Sequence, residues 1–471
     1  MSQKGFRMSD SPLNRIPSIS QLMELRPLKD LAHKVSSSTV AAGIKSYLEP
    51  YQKMAMEVAP TLPYTSLQGL ASEISNWILG KKGLGRPEVI NATGQVLGRQ
   101  FPVGPMAEEI IVQAHARRHD YHLASAQADF RQSVEQLLCE MTGAEAAIVF
   151  QDREAAMYLI TKHLAAYDTY VPRSQMSATF DGLNLPKHFE EVNGIHEIGA
   201  SNEIDFNELK EGIQGKAARL LWFDRTNFDG PGSTVIPPTT KLLEAFRGAK
   251  AECWVDLGIA GLVSDETHET FELTSAKQAV AAGADVALVG GGFLMGGPDC
   301  GIVLGKRESI ALLRHMAMAA YLQAGDACLV ELEACLRIHQ SGERVEDRLP
   351  LLSLISTSIE NLDLRATRLA EQLTISAWID EITMREVEAT PLPGGIKLPS
   401  RQVVLKLSEE GKMSVPEHLQ NFPAVASLSG SEGEVVLDIR TIFPRQDSEI
   451  VGKLLPETHT FEGSESESGE K

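Results

Sequence analysis

Short apolar runs alternate with longer amphipathic segments through the middle of the chain, from Ile90 to about Ile338. The clearest runs are "AAIVF", "ARLLWFD", "AECWVDLG", "ADVALVGG" and "GIVLGK". Runs of this length are typical of buried strands, and the segments between them have the apolar spacing of helices. Strands and helices that alternate in this way predict a mostly parallel sheet with helices packed on its faces.

The two ends of the chain have a different pattern. Residues 17–56 and the later stretch "SLQGLASEISNWIL" predict amphipathic helices, whereas "RQVVLKLS" and "EGEVVLDIRTIF" predict strands near the C-terminus. We therefore expect a helical domain with a linker at 1–80, a large α/β domain at 81–340 and a small α+β domain at 341–455. The acidic, serine-rich residues 456–471 are expected to be disordered.

Composition narrows the class of protein. The 471 residues are 43% hydrophobic, with no apolar run long enough to span a membrane and no apolar N-terminal signal. Five cysteines without CxxC spacing indicate reduced thiols and a cytoplasmic location. A net charge of −19 argues against nucleic-acid binding over the whole surface. The first fifty residues nevertheless carry seven lysines and arginines against four acids, so a local basic patch is compatible with the sequence.

Candidate chemistry lies where two of the predicted strands end. "AECWVDLG" places Asp256 at the end of one strand, and "VALVGGGFLMGGPDCGIVLGKRE" places a glycine-rich turn at the end of the next. A carboxylate at the mouth of a parallel sheet needs a cation or a donor to face. The pair predicts a cofactor-sized slot at this edge, although Asp256 could equally cap a loop.

The glycine spacing alone resembles a nucleotide-binding loop. Such a loop requires a helix to begin directly after it, so that the helix N-terminus faces the phosphate. Here "GGPDC" leads into the apolar run "GIVLGK", which predicts a strand. The sequence therefore disfavours a nucleotide site at this turn.

Several segments resemble, in order, the bacterial L-seryl-tRNA(Sec) selenium transferase (selenocysteine synthase) family. They are "RIPSISQLM", "INATGQVLGR", "VEQLLCEMTGAEAAIVF", "EIGASNEID", "VDLGIAGLV", "MGGPDCGIVLGKRE" and "LDIRTIFP". The resemblance implies the fold-type-I architecture of pyridoxal-phosphate (PLP) enzymes, which is similar to that of aspartate aminotransferase. It also implies PLP as cofactor, tRNA as a partner through the N-terminal domain, and a homodimer or larger homo-oligomer.

One departure from the family pattern concerns the catalytic lysine. The family's turn reads Ser-Gly-Asp-Lys-Leu-Leu-Gly-Gly-Pro, and its lysine forms the Schiff base with PLP. Alignment on Gly296-Gly297-Pro298 places Phe293 at that lysine. A phenyl ring cannot form an imine or move a proton, so the catalytic residues of this chain stay unknown. Asp256 matches the aspartate that pairs with the pyridine nitrogen, and PLP could still bind through it without an imine.

Other positions that the family uses for anions also differ. Its Asn-Asn-Asn-Ala turn at the PLP phosphate corresponds to Gln151, Asp152, Arg153 and Glu154, where Asp152 is unfavourable unless Arg153 offsets it. Gln151, Asp152, Arg153 and Asp256 are candidate cofactor ligands only if PLP or another phosphate binds. Arg99 is retained as a candidate for the substrate or an anion. Arginines of the family are missing around Arg131 and in "AYLQ", residues 320–323.

Two further hypotheses concern side chains near these segments. "AHARRHDYH" spaces His115, His119 and His122 at i, i+4 and i+7, so they could bind a metal if one helix continues through all three. A solvated or partner-facing helix is the more common outcome of such a pattern. Lys306 could replace the missing lysine, but the family has a lysine there beside its catalytic one, which favours a solvated side chain.

Three functions are open from the sequence. The chain is a catalytically degenerate paralogue that keeps the cleft without the Schiff base, an active PLP-dependent enzyme that converts seryl-tRNA(Sec) to selenocysteyl-tRNA(Sec), or an enzyme repurposed for other chemistry. We favour the first, because the losses fall at groups that would contact PLP and anions while the scaffold motifs persist. No cofactor is expected from the residues themselves, and PLP stays possible through the family.

Overall fold

The computed structural model describes most of the chain, in thirteen stretches. They are residues 17–34, 36–57, 67–81, 89–117, 121, 123–190, 192–213, 218–229, 235–249, 251–264, 266–420, 423–431 and 433–456. Residues 457–471 of the predicted tail at 456–471, and most of the linker before residue 89, lie outside the described residues.

The described residues form nineteen α-helices and twelve strands. The helices are α1 (Ile19–Met23), α2 (Arg26–Lys34), α3 (Ser37–Glu57), α4 (Leu67–Lys81), α5 (Glu108–Arg117), α6 (Ala124–Thr142), α7 (Arg153–Leu164), α8 (Leu185–Glu190), α9 (Phe206–Ile213), α10 (Thr239–Phe246), α11 (Glu266–Thr270), α12 (Ala276–Ala282), α13 (Arg307–His315), α14 (Ala319–Leu322), α15 (Asp326–Gln340), α16 (Pro350–Ser356), α17 (Ile359–Leu373), α18 (Glu409–Gln420) and α19 (Asp447–Leu454). The strands are β1 (Val89–Ala92), β2 (Ala146–Phe150), β3 (Thr169–Pro172), β4 (Ile195–Ile198), β5 (Arg219–Phe223), β6 (Glu252–Asp256), β7 (Val286–Gly290), β8 (Gly301–Gly305), β9 (Ile379–Leu392), β10 (Ile396–Leu407), β11 (Ala424–Ser429) and β12 (Glu434–Asp438).

A seven-stranded sheet forms the centre of the large domain, with strand order β2-β8-β7-β6-β5-β3-β4. Strand β8 is antiparallel to both neighbours, and the pairs β7–β6, β6–β5, β5–β3 and β3–β4 are parallel. The mostly parallel sheet expected from the alternating pattern is therefore present. Because β2 and β7 flank the reversed strand, both run in the direction of β5 and β6, and these four strands end at one edge.

Alternate residues of each central strand enter different hydrophobic cores. In β7, Ala287 and Val289 pack into one core, and Val286 and Leu288 pack into the other. Helices cover both faces, so every residue of this strand is buried. Burial on both faces explains why these strands are continuous apolar runs rather than alternating ones.

The C-terminal sheet differs from the expected domain ranges at two points. Its order is β1-β11-β12-β10-β9, so Val89–Ala92 pairs in parallel with β11 although the sequence analysis placed it in the large domain. Helix α16, expected in the C-terminal domain, contributes Leu351, Leu352 and Ile355 to a core of the large domain. Both differences arise from contacts between segments far apart in the chain, which apolar spacing does not encode.

The N-terminal helices pack around a core of their own. Ser18 caps α1 in a capping box with Gln21, and Leu22, Leu28, Ile44 and other apolar side chains of α1–α4 are buried together. The helical unit expected at the N-terminus is therefore present. Within the described residues, no helix has the length and apolar character needed to cross a membrane.

Candidate functional site

Three segments named in the sequence analysis meet at the carboxyl edge of the central sheet. Asp256 ends β6, the glycine turn follows β7, and Gln151 and Asp152 link β2 to α7. Asp256 pairs in register with Leu288 of the neighbouring strand. The polypeptide is tight here, because a side chain at Gly301 would overlap the backbone carbonyl of Asp152. These segments therefore lie side by side at this edge of the sheet, and the cofactor-sized slot stays a prediction.

The Arg153 guanidinium is buried at this edge and connects three separate parts of the chain. Its Nη2 donates to Asp256 Oδ2 at 2.8 Å and also to the side-chain oxygen of Asn227. Its Nη1 donates to Asp181 Oδ2 at 2.5 Å. The side chains of Arg153, Asp181 and Asp256 are only 2%, 6% and 1% exposed. One buried cation is therefore shared by two buried carboxylates.

The second oxygen of Asp256 is also engaged, since Oδ1 accepts from the backbone N–H of Gly258 at 3.0 Å. Burial raises the pKa of Asp256, and the Arg153 charge offsets part of that rise. For Arg153, burial acts to lower the pKa, but the charges of Asp256 and Asp181 outweigh it and raise the pKa above its usual value. The arginine is thus held in its charged form by its two partners.

Asp152 occupies the start of α7. Its Oδ1 accepts from the backbone N–H of Ala155 at 2.6 Å, which makes Asp152 the N-cap of the helix. Gln151 is exposed, and its backbone N–H donates to the carbonyl of Leu322 at 2.9 Å. The sequence analysis considered whether Arg153 offsets Asp152 beside a phosphate. In the structure Arg153 points to Asp256 and Asp181 instead.

Phe293 is buried in the glycine turn, with 4% of its surface exposed. Its ring packs edge-on against Phe180, with ring centroids 5.1 Å apart and planes at 61°. A side chain at Gly290 would overlap the Phe293 ring, so the glycine at the end of β7 makes room for it. The turn that the family pattern associates with a lysine therefore holds an aromatic side chain in the hydrophobic core.

Backbone hydrogen bonds fix the shape of the turn around Phe293. The Gly291 N–H donates to the Cys300 carbonyl at 2.8 Å, and the Gly297 N–H donates to the Gly291 carbonyl at 2.9 Å. The Gly296 N–H donates to the Phe293 carbonyl at 2.9 Å. Gly296 has a φ of 71°, a backbone conformation that favours glycine. The glycines thus serve the turn itself and the ring packed inside it.

The other candidate residues are Arg99 and Lys306. Arg99 is exposed on the turn between Gly98 and Phe101. Lys306 follows β8, which runs opposite to β7, so it lies at the far edge of the sheet. There its Nζ contacts Asp285 Oδ1 at 2.5 Å, and this carboxylate raises the lysine pKa. Lys306 is therefore not a replacement for the missing lysine in the slot.

The histidine hypothesis stays a prediction. His115 lies on α5, which ends at Arg117, and Tyr121 is not helical. His119 and His122 lie outside the described residues. Among the residues that the structure describes, no group of three or more histidine, cysteine or acidic side chains could hold a metal.

Sequence reasoning missed Asp181, Asn227 and Phe180, which complete the cluster. Asn227 follows β5 and could have been found by the same rule that selected Asp256, because β5 ends at the same edge. Phe180 and Asp181 lie in an irregular loop after β3, where neither apolar spacing nor a strand end marks them. Only the tertiary structure brings this loop into contact with Phe293 and Arg153.

All five cysteines are free thiols, as the sequence analysis expected from their spacing. Two of them lie close to the glycine turn, since Cys300 follows it and Cys335 Sγ donates to the Met295 carbonyl at 3.3 Å. Burial raises the pKa of Cys335 to about 12. Such a thiol is uncharged at neutral pH and acts as part of the apolar core.

The residues present do not fit PLP as the resemblance would place it. Asp256 already binds a guanidinium where a pyridine nitrogen would bind. The N-terminus of α7 is capped by the Asp152 carboxylate where a phosphate would lie, and Phe293 offers no amine. No step of a mechanism is therefore derived through this cofactor.

Comparison with known proteins identifies the family. A family model described as L-seryl-tRNA selenium transferase matches residues 89–443. The L-seryl-tRNA(Sec) selenium transferase of Moorella thermoacetica is 28% identical over 459 residues, covering 94% of this chain and 96% of the relative. The protein of the same name from Hyphomonas neptunium is 25% identical over 448 residues, covering 91% and 95%.

The solved structures give the same architecture. D-Glucosaminate-6-phosphate ammonia-lyase aligns with a TM-score of 0.55 at 17% identity, covering 79% of this chain and 96% of that one. This likeness concerns the fold alone, and it agrees with the fold-type-I large domain expected from the sequence. The family model matches residues 89–443, well over half of the chain, and on that match the chain belongs to the L-seryl-tRNA selenium transferase family.

Proposed function

We propose that this chain is a catalytically degenerate member of the family. It is a binding or scaffold protein that retains the fold but does not catalyse selenium transfer. The observation that carries the proposal is Phe293, buried against Phe180 in the turn where the family pattern has its lysine. The phenyl ring has no lone pair to attack a carbonyl and no proton to exchange. An amine in that place is required both to hold PLP covalently and to move protons during an elimination.

The surroundings of Phe293 support the same proposal. The ring is part of the large hydrophobic core, and Gly290 leaves the space that the ring fills. Lys306, the lysine considered as a substitute, lies at the opposite edge of the sheet and pairs with Asp285. The scaffold is retained while the reactive group is absent, which is the pattern expected of a protein that uses the fold for binding.

Reductive trapping tests the proposal. After incubation of the purified chain with PLP and borohydride, we expect no pyridoxyl adduct in the mass spectrum and no visible imine absorbance. With seryl-tRNA(Sec), PLP and selenophosphate, we expect no selenocysteyl-tRNA(Sec). The selenium transferase of Moorella thermoacetica, carried through the same steps, is the positive control.

A pyridoxyl group attached to any side chain of the cleft, or formation of selenocysteyl-tRNA(Sec), would favour the active enzyme instead. In a separate filter-binding assay, we expect the chain to retain seryl-tRNA(Sec) at low salt and to release it at high salt. Support for tRNA as a partner comes from the names of the relatives and from the mildly basic first fifty residues.

We also infer that the chain forms a homodimer or a larger homo-oligomer in the cytoplasm. Support comes from Met318, which precedes α14, and from Tyr321 of α14; they are 45% and 77% exposed and lie next to the start of α7. Exposed apolar side chains beside a cleft are typical of an interface. Light scattering after gel filtration is expected to give at least twice the monomer mass, and Tyr321→Arg is expected to lower it. An unchanged mass in that variant, or a monomer in the unaltered chain, would contradict this arrangement.

A further inference from the structure

We propose that the chain supplies its own occupants for the cofactor cleft, with Arg153 in place of the pyridinium, Asp152 in place of the phosphate and Phe293 in place of the lysine. These three side chains exclude PLP from the site and stabilise this part of the fold in its absence. This inference rests on the proposed function and adds a specific claim: the strongest barrier to PLP is the arginine, and the missing lysine is secondary.

The arginine substitutes for a ligand because it satisfies the aspartate that a pyridinium would bind. Asp256 Oδ2 accepts from Arg153 at 2.8 Å, and Oδ1 accepts from Gly258 N–H at 3.0 Å. Both oxygens therefore already accept a hydrogen bond, and Oδ2 faces the positive charge of the guanidinium. A positively charged ring could reach Asp256 only by expelling the guanidinium, which would leave Asp181 without its cation.

The surrounding acceptors are arranged around the two terminal nitrogens of the arginine. Asp181, Asn227 and Asp256 come from a loop after β3, a turn after β5 and the end of β6, and all three accept from Nη1 or Nη2. Among the described residues, Arg153 Nε has no hydrogen-bond partner. The cluster thus behaves as a site that holds a planar, charged group, and the group is part of the chain.

The second replacement is electrostatic. A free helix N-terminus attracts a phosphate through its unpaired N–H groups and its partial positive charge. At α7 the Asp152 carboxylate already accepts from the Ala155 N–H at 2.6 Å. A phosphate there would meet a negative charge rather than a free donor, so Asp152 both caps the helix and repels the anion.

The third replacement is linked to the first through neighbouring residues. Phe180 packs against Phe293, and the adjacent Asp181 binds Arg153. Expelling either occupant would therefore disturb the loop that holds the other. Restoring a lysine alone would leave this loop, the ion pairs and the helix cap in place.

The test compares PLP binding by variants of the full chain. They are Phe293→Lys, Arg153→Asn/Phe293→Lys, and Asp152→Asn/Arg153→Asn/Phe293→Lys. Asparagine is chosen because it is the residue type of the family's turn. Binding is measured by titration with PLP, followed through the visible imine absorbance and the thermal shift. We expect Phe293→Lys to bind no more PLP than the unaltered chain, and removal of Arg153 to lower the apparent Kd at least about tenfold.

The outcomes separate this inference from the proposed function. If Phe293→Lys binds PLP as tightly as the variants that lack Arg153, the arginine is not the barrier, and the proposed function still stands. If the variants without Arg153 fold, by circular dichroism, and yet bind no PLP, the inference is also wrong. An imine in the unaltered chain would instead overturn the proposed function.

Loss of Arg153 leaves two buried carboxylates without a cation, which could prevent folding. A further variant keeps the proposal testable in that case. Arg153→Asn/Asp181→Asn/Phe293→Lys removes one of those charges and leaves Asp256 for the pyridine nitrogen. PLP is expected to raise the unfolding temperature of this variant and to leave that of the unaltered chain unchanged. Equal shifts in the two proteins would contradict the proposal.

Discussion

Replacement of Arg153 by methionine is expected to lower the free energy of unfolding by about 3–5 kcal/mol. Methionine matches much of the length of the side chain but has no charge or donor. Asp256 and Asp181, both almost fully buried, would then lack the cation that they share. The measurement is the urea concentration at half-unfolding, followed by circular dichroism, with the unaltered chain under the same conditions.

A matched control is Arg173→Met. Arg173 also pairs with an acid, its Nε lying 3.1 Å from Glu197 Oε2, but the two side chains are 52% and 46% exposed. Exposed pairs contribute only about 0–1 kcal/mol, so this variant is expected to stay close to the unaltered chain. Equal losses for the two arginines would show that the buried cluster has no special weight.

The loss in free energy of unfolding caused by Arg153→Met, called the deficit below, should also depend on pH. Burial already raises the pKa of Asp256, and loss of the cation raises it further. The folded variant then binds a proton at a pH where the unfolded chain, with an aspartate pKa of about 3.9, has lost it. Stability of the variant falls as pH rises through that window. We therefore expect a smaller deficit near pH 5 than near pH 8; a deficit that grows on acidification would contradict this account.

Phe293→Ala is expected to destabilise the fold by about 3–5 kcal/mol, the usual cost of removing a buried phenyl ring. The ring is 4% exposed, contacts Phe180 edge-on and fills the space that Gly290 leaves open. Alanine would leave a cavity between the turn and the loop that carries Phe180. Thermal unfolding followed by fluorescence or calorimetry measures the loss.

Two controls distinguish loss of core packing from a general effect of shortening a side chain. Phe293→Leu keeps an apolar side chain of similar length and is expected to lose less than half as much stability as the alanine variant. Leu364→Ala shortens an apolar side chain that is 74% exposed and is expected to change stability by about 0.5 kcal/mol or less. An alanine variant at Phe293 as stable as the leucine variant would mean that the ring is not a core residue.

The sequence was sufficient for the architecture because the central strands are unusually clear. β5, β6 and β7 are continuous apolar runs, since both faces of each strand are covered by helices. Their order along the chain and the strand after the glycine turn predicted the parallel sheet and excluded a nucleotide loop. The ends of β6 and β7 also placed Asp256 and Phe293 at one edge before any contact was known.

The partners of those residues could not be predicted in the same way. Strand β1 lies where the alternating pattern of the large domain begins, at Ile90, but it pairs with β11 of the other sheet. Phe180 and Asp181 lie in a loop whose local sequence has no periodic signal. Pairing between distant segments depends on which surfaces meet in the folded chain. A segment without periodic apolar spacing carries little information about its distant partners.

The sequence by itself determined the fold, the family resemblance and the replacement of a lysine by Phe293, because each depends on the identity or local spacing of residues. Only the tertiary structure decided that Arg153 lies on Asp256 rather than beside a phosphate. The reason is physical: a buried guanidinium takes the position where several acceptors converge, and three separate parts of the chain supply them. Which parts converge is a property of the folded chain as a whole.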